Sequence, residues 1–385
     1  MTEKAVKQTI TVTQIVSGDL WAGAEVQVFN LCKALHRSGE VAVTAIVFNP
    51  GILHDKLAEL GIPVTLADER STGPVRMARS IADHCRSQGT DIIHTHGFKE
   101  NILGILGKEL ASVRYSIRTV HGNPEHHLSW NKPHKWLINR LDILLGRARQ
   151  QAVIAVSSQL ERALEPLFPG KVHKISNFID VRELRNKWLP TPEKGVNEIR
   201  LGLVGRLVPV KRVDLFIHAI QLLNDEGTAC KGVIIGDGPL RRELETLASD
   251  LGIQERVDFK GFIDPVAKEM RTLDMLVMTS DHEGLPMTLL EAMALSIPVV
   301  AHKTGGITEL LDNGHCGVLV TDHTASGYAQ AIKKLLQESS RTSTQDAVKE
   351  KALSRVNGDF SLEINSRKYL QLYQGIASKR AQHIQ

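Results

Sequence analysis

Glu283-Gly284-Leu285-Pro286-Met287-Thr288-Leu289-Leu290-Glu291-Ala292-Met293-Ala294 sets two carboxylates eight residues apart around a turn that opens into a helix-like run. Gly284 frees the backbone, and Pro286 suits the first helical position, where its missing N–H would be unpaired in any case. The next free amides then point outward as an anion site. Glu291, about a turn into the helix, reaches vicinal hydroxyls beside that anion, while Glu283 faces whatever is attached on its far side. A nucleotide sugar has this layout, with a ribose at one end of a diphosphate and a hexose at the other. A surface helix with solvated glutamates reads the same way, so other segments must decide.

At 385 residues the chain exceeds what one core usually supports, and two α/β domains are expected. Its 42% hydrophobic and 23% charged residues are those of an ordinary soluble protein. A net charge of +4 suits an anionic substrate or a membrane surface without requiring either. Lys and Arg are scattered and aromatics make up only 4%, so nucleic acid is not expected as a partner. Cys32, Cys85, Cys230 and Cys316 lie far apart in or beside apolar stretches, as reduced core residues do. Met1 to Gln8 lacks the apolar core of a signal peptide, and no apolar stretch has the length of a membrane span. A cytoplasmic protein is expected, with any membrane contact peripheral.

Short β-branched runs alternate with helical patterns throughout, the rhythm of βαβ units and parallel sheets. Strands are expected at 10–16, 41–47, 64–66, 91–95, 116–120, 152–156 and 172–175, then at 199–204, 232–235, 257–259, 275–278, 298–301 and 317–320. Between the two sets, Lys187 to Gly195 loses periodicity and reads as an interdomain connection. Tyr369, Leu372, Tyr373 and Ile376 form an apolar stripe on a terminal helix that must pack somewhere.

In the second half, the strand ending at Val204 runs into Gly205-Arg206-Leu207-Val208-Pro209-Val210-Lys211, which places a guanidinium and an ammonium at a strand's carboxyl end. Both can hold a diphosphate, although a solvated turn has similar residues. Gly236-Asp237-Gly238-Pro239 lacks the third glycine of a dinucleotide fingerprint and reads as a tight strand-to-helix turn. Phe262 and Ile263, after the next strand, offer a flat apolar wall for a base.

In the first half, the loop Ser17 to Glu25, with Gly23, can bring backbone amides near a phosphate or sugar. His94, His96 and His121 gather at the carboxyl edge of one sheet. A metal site is conceivable there, but no carboxylate or cysteine completes a set; His121 reads better as a hydrogen-bond donor to a sugar, and His94 as a satisfied buried side chain. Trp130 to Trp136 mixes tryptophans with basic groups, which suits a membrane interface or lipid-tailed acceptor, and equally a helix docking on its own core.

Together these segments resemble the retaining GT-B glycosyltransferases of family four, the group 1 type. The resemblance runs from Ala22-Gly23-Ala24-Glu25 to the terminal helix and is strongest from Ser280 through Ala294, then at Pro298 to Ala301 and Gly305-Gly306. It implies two Rossmann-like domains with parallel sheets facing across a central cleft. Residues 1–180 would form the acceptor side, 181–360 the nucleotide-sugar side, and 361–385 a helix crossing back to the first domain. It implies that Glu291 holds the ribose, that Glu283 holds the donor sugar, and that Gly284, Leu285, Pro286, Met287, Thr288 and Leu289 shape the phosphate site with their backbone. Arg206 and Lys211, with Gly205, match the family's diphosphate pair, His121 its cleft histidine, and Gly23 its loop glycine. Asn177-Phe178-Ile179-Asp180 departs from the family's Asn-Gly, and no binding role is given to Asn177.

The implied reaction transfers a hexosyl unit from a nucleoside diphosphate sugar to a hydroxyl on a sugar or lipid-linked acceptor, keeping the anomeric configuration, in cell-surface polysaccharide or glycolipid synthesis. Charge building on the leaving diphosphate is met by Arg206, Lys211 and the helix start, so neither a metal nor another cofactor is expected. The same architecture serves nucleotide-sugar epimerases and hydrolases, and a non-catalytic nucleotide-sugar-binding protein would carry similar residues.

Overall fold

The computed structural model describes residues 9–122, 133–189, 198–339 and 342–378. They form two compact units, one made of the residues through Ser176 with those from Leu362 onward, the other running from Asn177 to Ser361.

The first unit holds a seven-stranded sheet of β1 (Ile10–Val16), β2 (Val41–Val47), β3 (Val64–Leu66), β4 (Ile92–Thr95), β5 (Tyr115–Val120), β6 (Ala152–Ala155) and β7 (Val172–Lys174). Its order is β3-β2-β1-β4-β5-β6-β7, with parallel neighbours throughout. Ile10 lies opposite Val41 and Val16 opposite Val47, while Val12 to Ile15 pair with Ile92 to Thr95. The inner strands β2 and β6 are buried almost throughout as apolar runs, while the edge strands β3 and β7 keep exposed positions. Ile15, Ile46, Phe48, Met77, Ile81, Cys85, Ile93 and Leu103 form one core cluster. The helix Leu362–Ser378 belongs to this unit and buries Tyr369, Leu370, Tyr373 and Ile376. Leu370 replaces the expected Leu372, which is only half-buried.

The second unit holds β8 (Ile199–Val204), β9 (Cys230–Ile235), β10 (Val257–Gly261), β11 (Met275–Met278), β12 (Val299–His302) and β13 (Val318–Val320), all parallel, in the order β10-β9-β8-β11-β12-β13. Leu201, Leu203, Phe216, Ile220, Val277, Tyr328 and Ile332 centre its core. Each such side chain contributes about 1.5–3 kcal/mol on burial. All four cysteines are free and buried.

Strand order reverses between β1 and β4 in one sheet and between β8 and β11 in the other. Neighbouring loops leave such a point in opposite directions, so a crevice opens outside the strands' carboxyl ends. The loops after β8 and β11 are therefore the first place to look for a site in the second unit, and those after β1 and β4 in the first.

The chain changes unit at Ser176–Asn177, before the proline-bearing stretch whose periodicity weakens. Val181–Trp188 is a helix inside the second unit, where Arg185 donates to the Ala294 carbonyl at 2.7 Å and to Ser296 Oγ at 3.2 Å. Val181 is its single fully buried residue, which explains the weak pattern. Residues 190–197 lie outside the described residues, as do residues 123–132 and the side chains of 133–138, so the Trp130 to Trp136 reading falls there. Among the described residues no helix is long and apolar enough to cross a membrane.

Candidate active site

In the second unit the loop after β8 is laced to the loop after β9. The Gly205 amide donates to Ile235 O at 3.0 Å, Leu207 N to Asp237 O at 3.0 Å, and Leu240 N back to Leu207 O at 3.1 Å. A Cβ at Gly236 would sit 1.9 Å from Gly205 O, and one at Gly238 2.5 Å from Leu207 O. The glycines of Gly236-Asp237-Gly238 thus let two backbones touch, the tight-turn reading of this segment. Beyond Gly205 come half-buried Arg206 and a single 3-10 turn, Pro209–Lys211. The Lys211 stem lies over Gly205, its Cε 3.6 Å from where a Cβ would be.

The loop after β11 is tied to that turn. Thr279 Oγ1 donates to Lys211 O and the Asp281 amide to Val210 O, both at 2.8 Å. This brings Lys211 Nζ to 2.5 Å from Glu283 Oε1, uniting two side chains far apart in sequence. Glu283 O accepts the Gly306 amide at 3.2 Å, and a Cβ at Gly305, whose φ is +53°, would lie 2.0 Å from that oxygen. The Gly305-Gly306 pair therefore lets the next loop press directly on the Glu283 backbone. Asn177 donates to Leu285 O at 2.7 Å, so its role is to brace this turn.

The helix begins one residue later than the sequence suggested, at Met287. Pro286 keeps an extended ψ of 125° and lends its carbonyl to Leu290 N at 3.4 Å, so it precedes the helix rather than opening it. The amides of Met287, Thr288 and Leu289 donate to no other described residue. Since the Leu285, Pro286, Met287 and Leu289 side chains are buried, this segment offers a ligand mainly its backbone. Unpaired N–H groups with the positive end of the helix dipole make an anion site. Glu291, one turn on, is half-buried and has no hydrogen-bond or ion-pair partner among the described residues. Burial pushes its carboxyl up to about 8, with the nearby Asp264 charge adding to the rise. Asp264 belongs to the loop after β10, which also carries Phe262, 52% exposed, and half-buried Ile263.

Sequence reading missed a second set of groups around Asp281. Its carboxylate accepts from His323 Nε2 at 2.9 Å and lies 3.6 Å from Arg212. His323 stacks on His302 at 3.7 Å, and His302 donates from Nδ1 to Ser280 O at 2.9 Å. Thr304 Oγ1 donates to Asp281 O at 2.9 Å. These bonds hold the 279–283 loop in addition to its ties to the 209–211 turn, and no spacing motif in the sequence links such distant residues.

In the first unit Gly23 opens the helix Gly23–Ser38 after an extended Ala22. Glu25 in that first turn is buried, with its carboxyl pushed up to about 7 by burial and by Asp19 and Glu100, while a hydrogen bond from the Ala22 backbone opposes the rise. The chain's own carboxyl thus occupies part of the helix start expected to face a ligand.

His94, His96 and His121 do converge. Their rings follow one another at 4.2 Å and 5.3 Å. His94 is satisfied at both nitrogens, by Tyr373 Oη at 2.8 Å and Thr119 Oγ1 at 2.7 Å. His96 contacts Gln14 Oε1 at 2.7 Å and His121 Nε2 at 3.1 Å. Burial holds His94 and His96 well below the usual histidine range and brings His121 down to about 4, so all three are neutral near pH 7. His121 Nδ1 is buried without a hydrogen-bond partner among the described residues, a state that costs about 1–3 kcal/mol. Among the described residues no group of three or more His, Cys, Asp or Glu is arranged to hold a metal ion.

Residues 185–355 match the family model described as Glycosyl transferases group 1, and residues 21–183 match that described as Glycosyltransferase Family 4. The chain is 30% identical over 270 residues to N-acetyl-alpha-D-glucosaminyl L-malate synthase of Bacillus anthracis, covering 68% of this chain and 69% of that protein. It is 26% identical over 266 residues to UDP-Gal:alpha-D-GlcNAc-diphosphoundecaprenol alpha-1,3-galactosyltransferase of Escherichia coli, covering 64% and 67%. Among solved structures, HepE of Anabaena in complex with UDP and glucose superposes with a TM-score of 0.80 at 21% identity, over 95% of this chain and 100% of that one. Sucrose-phosphate synthase of Thermosynechococcus elongatus gives 0.75 at 18% identity, over 96% and 100%. With both sheets, both halves and the relatives in agreement, this chain belongs to the group 1 glycosyltransferases of family 4 and has the GT-B fold.

Proposed function

We propose that the chain is a retaining hexosyltransferase that takes a nucleoside diphosphate sugar and passes the hexosyl unit to a hydroxyl on a sugar or lipid-linked acceptor in cell-surface polysaccharide or glycolipid synthesis. One observation carries the reading: Lys211 and Glu283 are joined beside a helix start whose first three amides, and Glu291 one turn beyond, have no partner among the described residues. A diphosphate fits the amides and the Lys211 and Arg206 cations. A ribose diol, which can donate two hydrogen bonds, fits a lone carboxylate, and exposed Phe262 offers a face to the base. The E. coli relative's name specifies a UDP-galactose donor and a diphosphoundecaprenol-linked acceptor, and the Anabaena neighbour was solved with UDP and glucose, which supports this class of donor.

As the glycosidic bond breaks, the sugar becomes cation-like and negative charge gathers on the diphosphate. Fixed positive groups there stabilise the transition state more than the ground state. Lys211, Arg206 and the Met287–Leu289 amides perform that role without a metal. Glu283 touches the sugar side of the diphosphate, and the leaving phosphate takes the acceptor's proton on the same face.

The test is incubation of purified protein with UDP-, GDP- and ADP-sugars, with and without acceptors and chelator. Acceptor-dependent release of nucleoside diphosphate, undiminished by chelator, with an α product from an α donor by NMR, is expected. Donor binding without release would make the chain a binding protein, and release without acceptor a hydrolase.

A further inference from the structure

We propose that Gln14, His96 and Tyr373 fix the tautomer of His121, placing its proton on Nε2 and leaving Nδ1 as a bare acceptor for a hydroxyl. The Gln14 amide N–H donates to Tyr373 Oη at 3.3 Å. The phenol's own hydrogen then goes to His94 Nδ1 at 2.8 Å, and His94 donates from Nε2 to Thr119 Oγ1 at 2.7 Å. The other end of the Gln14 amide is a carbonyl, which only accepts, so His96 Nε2 at 2.7 Å must be the donor. A neutral imidazole has a single N–H. His96 Nδ1 is therefore an acceptor, and His121 Nε2, 3.1 Å away, must carry the hydrogen between them. What remains is His121 Nδ1, buried and without a partner among the described residues.

Stacking supports the assignment, because protonating two of these adjacent rings would place like charges 4.2 to 5.3 Å apart. The chemistry that follows is selective. A bare ring nitrogen attracts an O–H and repels a phosphate or carboxylate oxygen, so the group it meets is a hydroxyl, as a sugar presents. This reverses the donor role expected of His121 from the sequence. Tyr373, more than 350 positions away from Gln14, acts as a positioning residue that sets the polarity of the whole chain of bonds.

The use of that nitrogen rests on the proposed sugar transfer; the tautomer itself does not. The experiment is long-range 1H–15N correlation of the histidine rings in the uniformly 15N-labelled full chain without ligand, with His121 assigned by loss of its signals in His121→Asn. The Nε2–H pattern is expected for His121 and His96. In Tyr373→Phe, where the amide loses its anchor, His121 should become a mixture of both tautomers. An Nδ1–H pattern or an imidazolium at neutral pH in the unmodified chain would overturn the proposal whether or not the variant folds. So would a folded Tyr373→Phe protein whose His121 stays purely Nε2–H. If the tautomer is as expected but His121→Ala transfers sugar at the full rate, the use of Nδ1 on a sugar hydroxyl is overturned while the transfer stands; if the unmodified chain transfers no sugar, the proposed function fails while the tautomer stands.

Discussion

Lys211 Nζ lies 2.5 Å from Glu283 Oε1, with the two side chains only 23% and 12% exposed. Each neutralises the other, and each is held by its own loop, so the pair also locks the loop after β8 to the loop after β11. Breaking a partly buried pair leaves one charge without compensation. Lys211→Ala and Glu283→Ala should each destabilise the fold by about 1–3 kcal/mol, with a coupling of about 0.5–3 kcal/mol in the double-mutant cycle from chemical denaturation. Additive losses would show that the contact carries no energy.

Catalysis should suffer more than stability from loss of the cations. Arg206→Ala and Lys211→Ala are expected to lower kcat by about 10²–10³-fold, the scale of losing a preorganised charge at a developing anion. Steady-state assays with donor and acceptor give the answer, and unchanged kcat in both would remove them from the diphosphate site.

Glu291 should give a pH signature. Its carboxyl is raised to about 8 in the folded chain, so folding favours the protonated form. Stability from this group is fully present below the unfolded value of about 4.3 and declines as pH rises through about 8. Glu291→Gln should flatten that decline, with a gain on the order of a few kcal/mol at most near pH 8, and should weaken donor binding by about tenfold, the scale of one or two lost hydrogen bonds to the ribose. Thermal melts across pH, with calorimetry of donor binding, measure both.

Gly305→Ala tests the loop contact. Its φ of +53° and the 2.0 Å approach of a Cβ to Glu283 O leave no room for a methyl group. A loss of about 1–3 kcal/mol is expected, together with a fall in activity as the Glu283 backbone is displaced. Wild-type melting and turnover would contradict the contact.

Phe262→Ala separates binding from folding. The ring is 52% exposed, so its loss should leave the melting temperature nearly unchanged. If it stacks on the base, donor affinity drops by about 1–3 kcal/mol, roughly 5- to 150-fold. Equal affinity for the variant would exclude the contact.

The sequence by itself determined the strands, because strands in a parallel sheet are short apolar or β-branched runs, and β1, β2, β3, β8 and β11 fall where those runs stand. It also determined which residues reach the strands' carboxyl ends, since Gly205 to Lys211 follows β8 directly and Glu283 to Glu291 comes a short loop after β11. The tertiary structure alone decided which of these meet. The Lys211–Glu283 pair and the Gly305 contact with the Glu283 backbone join loops that follow different strands, and the chain of bonds from Tyr373 to His121 joins the terminal helix to three strands or strand ends. Strand order, not sequence spacing, sets those distances. Burial also decided protonation: the same glutamate codes for a solvated anion or for a carboxyl raised to about 8, according to what surrounds it.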